Sequence, residues 1–358
     1  MFRQTWAEVD LDAIFENVYH FKTCLAKEKE VMATVKADGY GHGAIPVAKA
    51  ALRAGAGWLT VALLEEGIEL RQAGIEAPIL VMGYVPARHV PVAQRYRLRL
   101  TVPDYRYFEE MVSQLSPSQP PLKFHLKLDT GMGRLGIYAE EELIRIIEAY
   151  KNIAAQKDGQ LVWEGVYSHL ATADEQDEEL DRYFRKQVQT FDERVELILG
   201  QGLRPPVIHL ANSAGMIRQA WGRYGTAARL GISLYGLLPS GWMEGELPFR
   251  LKPAFSLHTH LSQVKQFPPG TGISYGCTYR TQQTEWIGAL PIGYADGYNR
   301  LLSNKAEVLI GGRRYPVVGR VCMDQTMVRL DRPYERGERV TLIGQQGSER
   351  VSADDLAR

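Results

Sequence analysis

The apolar run Val31-Met32-Ala33-Thr34-Val35 ends in Lys36 and passes at once into Ala37-Asp38-Gly39-Tyr40-Gly41-His42-Gly43. Apolar and β-branched residues over this length read as a buried strand and the glycines as a turn, so Lys36 sits where a strand ends. An ammonium half-buried at such a place is costly unless it is paired or neutralised, and a neutral amine is a nucleophile or base of the Schiff-base kind. Taken alone, the stretch could equally hold a lysine that reaches solvent. Four further segments end candidate strands in the same way: Lys127-Leu128-Asp129-Thr130-Gly131-Met132-Gly133-Arg134, Ser168-His169, His209-Leu210-Ala211-Asn212-Ser213 and Ala228-Arg229-Leu230-Gly231-Ile232. Singly, His169 or His209 reads as a hydrogen-bonded core histidine and Arg229 as a structural ion-pair partner. Gathered at one mouth, they would offer cations, imidazoles, a serine hydroxyl and bare glycine amides. That set suits a planar anionic cofactor with a phosphate tail.

The elements that would gather them follow from periodicity. Strand candidates lie near 31–36, 58–63, 78–83, 97–102, 122–129, 161–168, 207–211 and 228–235. Helical spacing of apolar residues covers Ile45 to Ala54, Leu63 to Ala73, Asp104 to Leu115, Ala139 to Ala155 and Asp177 to Leu199. Eight strand-then-helix units predict an α/β chain whose N-terminal part, residues 1–240, is a closed parallel (β/α)8 barrel of the TIM type, with sites at the C-terminal ends of its strands; a doubly wound open sheet is the alternative. The acidic run Asp174-Glu175-Gln176-Asp177-Glu178-Glu179 reads as a solvated helix start. After Gly241 the long helical patterns stop. Short β-rich pieces follow at Ala254 to Val264, Trp286 to Ile292, Glu307 to Val318, Thr326 to Leu330 and Arg339 to Ile343, with Gly311-Gly312 as a hairpin turn. Residues 241–358 are therefore expected to be a mostly antiparallel β domain, entered through a linker at Gly241 to Pro253.

Composition narrows the partners. Lys plus Arg and Asp plus Glu both number 42 in 358 residues, so net charge is zero and no electrostatic footprint for nucleic acid or an anionic membrane is present. Three cysteines, Cys24, Cys277 and Cys322, give neither a disulfide framework nor a zinc site and fit a reducing cytoplasm. Neither a signal peptide nor a membrane helix is readable, which points to a cytoplasmic protein with a small-molecule substrate and no bound metal.

Six stretches taken in order resemble the alanine racemase family: Val35 to Gly43, Asp129 to Gly136, Arg229 to Gly236, Ile273-Ser274-Tyr275-Gly276, Gly293 to Tyr298 and Gly319 to Gln325. The resemblance implies an enzyme dependent on pyridoxal 5'-phosphate that interconverts L-alanine and D-alanine and supplies D-alanine for the bacterial cell-wall peptide. It also implies a head-to-tail homodimer in which the β domain of one subunit completes the site of the other. Residue by residue, Lys36 resembles the lysine that carries the cofactor and acts as one base, and Tyr275 the base on the opposite face. Two such groups are what racemisation needs, and a phenol serves near neutrality only with cations beside it. His169 resembles the imidazole near the cofactor ring, linked to Arg229, which faces the pyridine nitrogen. An arginine donates there without giving up its proton, and the less electron-hungry ring favours return of the proton over transamination. Tyr40, Ser213, Gly231 and Ile232 resemble phosphate contacts, with Asn212 beside them. Arg134 resembles the group that meets the phenolic oxygen and the substrate carboxylate, Met323 a carboxylate contact through its amide, Asp324 an acid behind it, and Tyr294 an entrance tyrosine. Lys127 matches a position carbamylated in many relatives, where the modified side chain holds Arg134; an unmodified structural lysine is the alternative.

Two departures stand out. Asp38 and Gly39 replace an asparagine and an alanine common in the family. Members also usually continue past the stretch matching Ser352 to Arg358 into a segment whose tyrosine reaches the phosphate, so a weaker hold on cofactor and dimer is expected here. Related readings are a racemase of broad or serine specificity, or a protein that binds pyridoxal phosphate without turnover.

Overall fold

The computed structural model describes residues 4–156 and 159–357; Arg358, at which the family comparison ends, lies outside them. A first strand, β1 (Thr5–Val9), precedes β2 (Glu30–Thr34), β3 (Trp58–Val61), β4 (Ile79–Val81), β5 (Arg99–Val102), β6 (Leu122–Lys127), β7 (Leu161–Tyr167), β8 (Val207–His209) and β9 (Ala227–Leu230). Strands β2 to β9 pair in sequence order and in parallel, and β9 returns to β2 with Glu30 opposite Ala227 and Ala33 opposite Leu230. That last pairing closes the barrel and excludes the open sheet, which has no bond between first and last strands.

Helices lie between the barrel strands, and their starts are written in the sequence. Asp104 accepts the Tyr107 N–H at 2.7 Å to open Tyr105–Ser113, and Asp177 accepts from Glu179 and Leu180 at 2.9 and 3.1 Å to open Glu178–Gly200. Replacing such a cap by alanine costs about 1 kcal/mol. Of the acidic run, Asp177 is thus the cap and Glu178 and Glu179 open the first turn, where carboxylates suit the dipole, while Asp174, Glu175 and Gln176 precede the helix. Strand β6 alternates Leu122, Phe124 and Leu126 with Lys123, His125 and Lys127. Phe124 packs outward on Phe108, Tyr150 and Trp163, while His125 turns inward onto Trp58 and His209. Period two therefore places a polar column inside this barrel.

The chain divides into two compact units, one spanning Leu11–Pro253 and the other the segment ending at Asp10 together with everything from Ala254 onward. The boundary expected after residue 240 moves for two physical reasons. The intended linker packs with the barrel unit, Met243 buried and Trp242 Nε1 donating to the Asp174 carbonyl at 2.7 Å. The first residues leave it, because β1 pairs antiparallel with β10 (Phe255–His260), a partner too distant in sequence for periodicity to reveal.

In this second unit follow β11 (Gln263–Phe267), β12 (Gly272–Ile273), β13 (Tyr279–Arg280), β14 (Glu285–Leu290), β15 (Glu307–Ile310), β16 (Arg313–Pro316), β17 (Thr326–Leu330), β18 (Arg339–Gln346) and β19 (Glu349–Val351). One sheet runs β1-β10-β18-β15-β16 with β19 beside β18, a second runs β11-β14-β17, and all pairs are antiparallel. Gly311-Gly312 makes the two-residue turn between β15 and β16. The single strand expected from Ala254 to Val264 divides because the chain changes sheets at Leu261-Ser262. Leu261, Leu290, Val308, Val328 and Leu342 form the core. Among the described residues no helix is long and apolar enough to cross a membrane.

Candidate active site

Beyond the end of β2 the backbone does something unusual. Ala37, Asp38, Gly39 and Tyr40 all have φ between 51° and 61° and ψ between 36° and 53°, one full turn of left-handed helix. Each of the three L-residues with a side chain costs about 1–2 kcal/mol in this conformation. Side chains hold it in place. Glu66 accepts the Ala37 N–H at 2.5 Å and those of Ala62 and Leu63 at 2.7 and 2.9 Å, and Asp38 accepts the Ala44 N–H at 2.7 Å, where the helix Ala44–Arg53 starts. The departure at Asp38 thus puts a carboxylate at a helix N-terminus, where charge is favoured.

Lys36 and nine other residues singled out in the sequence line one cavity of about 570 Å³ at the ends of the barrel strands, a volume typical of small-molecule sites. The turn carries Tyr40 to one wall, its ring 4.8 Å from that of Tyr235 and its hydroxyl beside Gly231. A Cβ on Gly231 would stand 3.2 Å from that hydroxyl and 3.7 Å from Ser213 Oγ, so the glycine keeps open the space between two hydroxyls. Ser213 follows Asn212, whose side chain accepts the Gly215 N–H at 2.9 Å and so starts the short helix Ser213–Ile217. The Gly231 N–H donates to Ser213 Oγ at 2.9 Å, so the serine oxygen accepts from the protein and its own proton is not used in that bond; Ile232 is next along the wall.

On another wall Arg229, fully buried, is gripped by its terminal nitrogens. Nη1 donates to His209 Nδ1 at 2.8 Å and the His209 carbonyl at 3.1 Å; Nη2 donates to the Ser168 and Leu210 carbonyls at 2.7 and 3.0 Å and to His169 Nδ1 at 3.1 Å. Nε has no acceptor among the described residues. Burial draws Arg229 down to about 10, still cationic at neutrality, and burial followed by the guanidinium itself pushes His169 and His209 well below the usual imidazole range. Both imidazoles are neutral, with Nδ1 as acceptor.

Lys127 ends β6 with its amine buried, 4.6 Å from the centroid of the Tyr167 ring and without a hydrogen bond among the described residues. Burial, then Arg229 and Arg134, hold it well below the usual lysine range. The loop after it is tied by Asp129, which accepts the amides of Gly131, Met132 and Gly133 at 2.9 to 3.1 Å and delivers Arg134 to the cavity rim. Four basic side chains, Lys36, Lys127, Arg134 and Arg229, line the cavity with one carboxylate, Asp174. The donor set and the glycine gap fit an anion with a phosphate end.

Tyr275, Tyr294, Met323 and Asp324 belong to the second unit, on three loops tied together there. Ser274 Oγ donates to the Arg320 carbonyl at 2.7 Å, and the Tyr294 and Ala295 amides donate to the Cys322 and Met323 carbonyls at 3.0 and 2.9 Å. Tyr275 is 70% exposed and Met323 58%, so both are open on their own unit.

Sequence reasoning passed over Tyr167, which stacks on His209 at 4.6 Å with rings 4° from parallel, and Glu66. Glu66 had a signal, an acid three residues into a helix where a side chain turns back onto free amides. Tyr167 had none beyond its place at a strand end.

Comparison with known proteins agrees over the whole chain. Residues 9–239 match the family model described as alanine racemase, N-terminal domain, and residues 254–358 that described as alanine racemase, C-terminal domain. The chain is 48% identical to the alanine racemase of Halalkalibacterium halodurans over 359 residues, covering 100% of this chain and 90% of that protein. It is 47% identical to that of Geobacillus stearothermophilus over 356 residues, with 99% and 88% covered. The crystal structure of the Bacillus anthracis alanine racemase with bound L-Ala-P superposes with a TM-score of 0.91 at 44% identity, covering 100% of this chain and 90% of that one.

Proposed function

The chain belongs to the alanine racemase family, and on that premise we propose that it interconverts L-alanine and D-alanine with pyridoxal 5'-phosphate. Its enzyme class is that of an amino-acid racemase, an isomerase. The observation that carries the reading is Arg229: every terminal nitrogen is engaged by the protein and Nε–H is left over. A guanidinium that cannot give up its proton, with one donor to offer, suits a ring nitrogen that stays unprotonated. Bound there, pyridoxal phosphate supplies an electron sink that makes the α-proton of an attached amino acid acidic enough to move.

Lys36 Nζ would hold the cofactor and act as base on one face of the α-carbon. Tyr275 Oη would act on the other, brought by the C-terminal unit of a second chain in a head-to-tail homodimer. One group takes the proton and the opposite one returns it, which inverts the centre. Tyr40 and Ser213 hydroxyls, the Gly231 gap, Ile232 and the Asn212 turn would hold the phosphate, and His169 would lie along the ring. Arg134 would orient the substrate carboxylate with the Met323 amide, Asp324 standing behind, and Tyr294 would bound the space for the side chain. Lys127, its buried amine held well below the usual lysine range and without a hydrogen bond among the described residues, is suited to add carbon dioxide through its unprotonated form; as a carbamate it would give Arg134 an anion. D-alanine made in the cytoplasm would serve the cell-wall peptide.

Protein loaded with pyridoxal phosphate and given L-alanine tests this, with D-alanine followed by a D-amino-acid oxidase coupled assay. D-alanine from L and L-alanine from D are expected. Faster turnover of L-serine would move the substrate, and no exchange of the α-proton in either enantiomer would overturn the reading.

A further inference from the structure

Beneath Arg229 the barrel interior carries three buried ionisable groups that the racemase reading does not use. His125 and His209 are fully buried and Glu164 is 7% exposed. His209 Nε2 lies 2.9 Å from His125 Nδ1, and His125 Nε2 faces Glu164 Oε2 at 3.7 Å. Glu164 in turn accepts from Arg99 Nε at 2.9 Å and Lys123 Nζ at 2.6 Å.

The protons in this column are fixed by Arg229. A guanidinium only donates, so His209 Nδ1 must accept and the single imidazole proton sits on Nε2. That proton points at His125 Nδ1, which must accept as well, so the His125 proton also sits on Nε2 and faces the carboxylate. Hydrogen bonds therefore run in one direction, Arg229 to His209 to His125, and at the far end His125 Nε2, without a hydrogen-bond acceptor among the described residues, feels the Glu164 carboxylate at 3.7 Å as a charge.

Two local features build the column. The β6–β7 register shifts between Phe124 and His125, which pair with Trp163 and Gly165, so Glu164 is the extra residue of a β-bulge. Bulges re-aim side chains, and this one brings the carboxylate under His125. Gly165 makes room for the ring: a Cβ there would fall 2.5 Å from both Cε1 and Nδ1 of His125.

We propose that Glu164 and His125 are positioning residues for the reaction at the barrel mouth: they hold His209 as its Nε2–H tautomer, so that its Nδ1 keeps the Arg229 guanidinium turned with Nε toward the cavity. The proposal rests on the racemase reading for its kinetic consequence, and on the hydrogen-bond geometry alone for the tautomers.

The experiment uses the cofactor-loaded enzyme and two variants. His125→Asn places an amide oxygen near the position of Nδ1 and keeps the acceptor; His125→Leu removes it. Losing the partner of a buried donor should lower kcat roughly tenfold in the leucine variant and displace the absorption band of the bound cofactor, with KM for alanine little changed, while the asparagine variant recovers most of both. Nitrogen-15 spectra of histidine-labelled holoenzyme should find His209 and His125 neutral and protonated at Nε2. A proton at Nδ1 of His209, equal losses in both variants, or a leucine variant with wild-type kcat and absorption would each overturn the proposal. If the leucine variant does not fold, the asparagine variant and the tautomers still decide it. Should the wild type fail to racemise alanine, the functional reading falls, while Nε2–H signals still uphold the column.

Discussion

Arg229 donates to Nδ1 of both His209, at 2.8 Å, and His169, at 3.1 Å, so one guanidinium sets the protonation state of two imidazoles. His125, buried below, is likewise pushed down by burial. Three histidines are thus neutral in the fold and free to protonate when it opens.

The sign of the pH dependence follows. A histidine whose folded pKa is depressed binds its proton in the unfolded chain first, so stability is complete above the unfolded value of about 6.5 and falls as pH drops below it. Each such group contributes a slope of up to about 1.4 kcal/mol per pH unit in that window. Glu164 acts lower: burial opposes but Arg99 and Lys123 hold it well below the carboxylate range, so its contribution is present above about 4.5 and is lost only in stronger acid. Denaturant midpoints should fall steeply between pH 6.5 and pH 5, and His125→Asn should flatten that fall. A midpoint level across this window would contradict the neutral assignments.

Borohydride reduction of the loaded protein, followed by peptide mapping, should place the pyridoxyl label on Lys36. Lys127 is the rival, since burial holds its amine well below the usual lysine range and it lines the same cavity. Label there would reverse the two lysines.

Tyr275→Phe should lower racemisation by about 10²- to 10⁴-fold, the usual contribution of a positioned acid–base group. Exchange of the α-hydrogen with deuterated solvent should survive for one enantiomer and collapse for the other. Equal loss for both would mean that Tyr275 shapes the site without acting on one face.

The barrel was legible because β-strands and helices alternate in hydrophobic period, and the lysine was legible because an apolar run ended in it. Closure followed from the count of eight units and not from periodicity, since the β9–β2 pairing leaves no local mark. The position of β1 was hidden for the same reason. The left-handed turn read only as glycine-rich, because three of its four residues are ordinary L-residues whose conformation is imposed by Glu66 and Asp38. Lys123 and His125 carried no signal in the sequence until the strand was closed into a barrel.

Gly231→Ala should preserve the fold and weaken the cofactor. The added methyl would stand 3.2 Å from the Tyr40 hydroxyl, and losing one hydrogen bond to a charged phosphate costs roughly ten- to a hundredfold in binding. Titration of the apoprotein with pyridoxal phosphate, read by absorbance, measures it; an unchanged affinity would remove the phosphate from this corner.

The pairing of β1 with β10 also has a history on the ribosome. Thr5 and Thr259, whose hydroxyls meet at 2.9 Å, are 254 residues apart, so at about 5–20 residues per second the first strand emerges roughly 10 to 50 s before its partner. All of Leu11–Pro253 can fold in that interval, while β1 waits as an unpaired edge open to other nascent chains. β1 is thus translated long before it can be paired, and chaperone dependence should concentrate in Thr5–Val9.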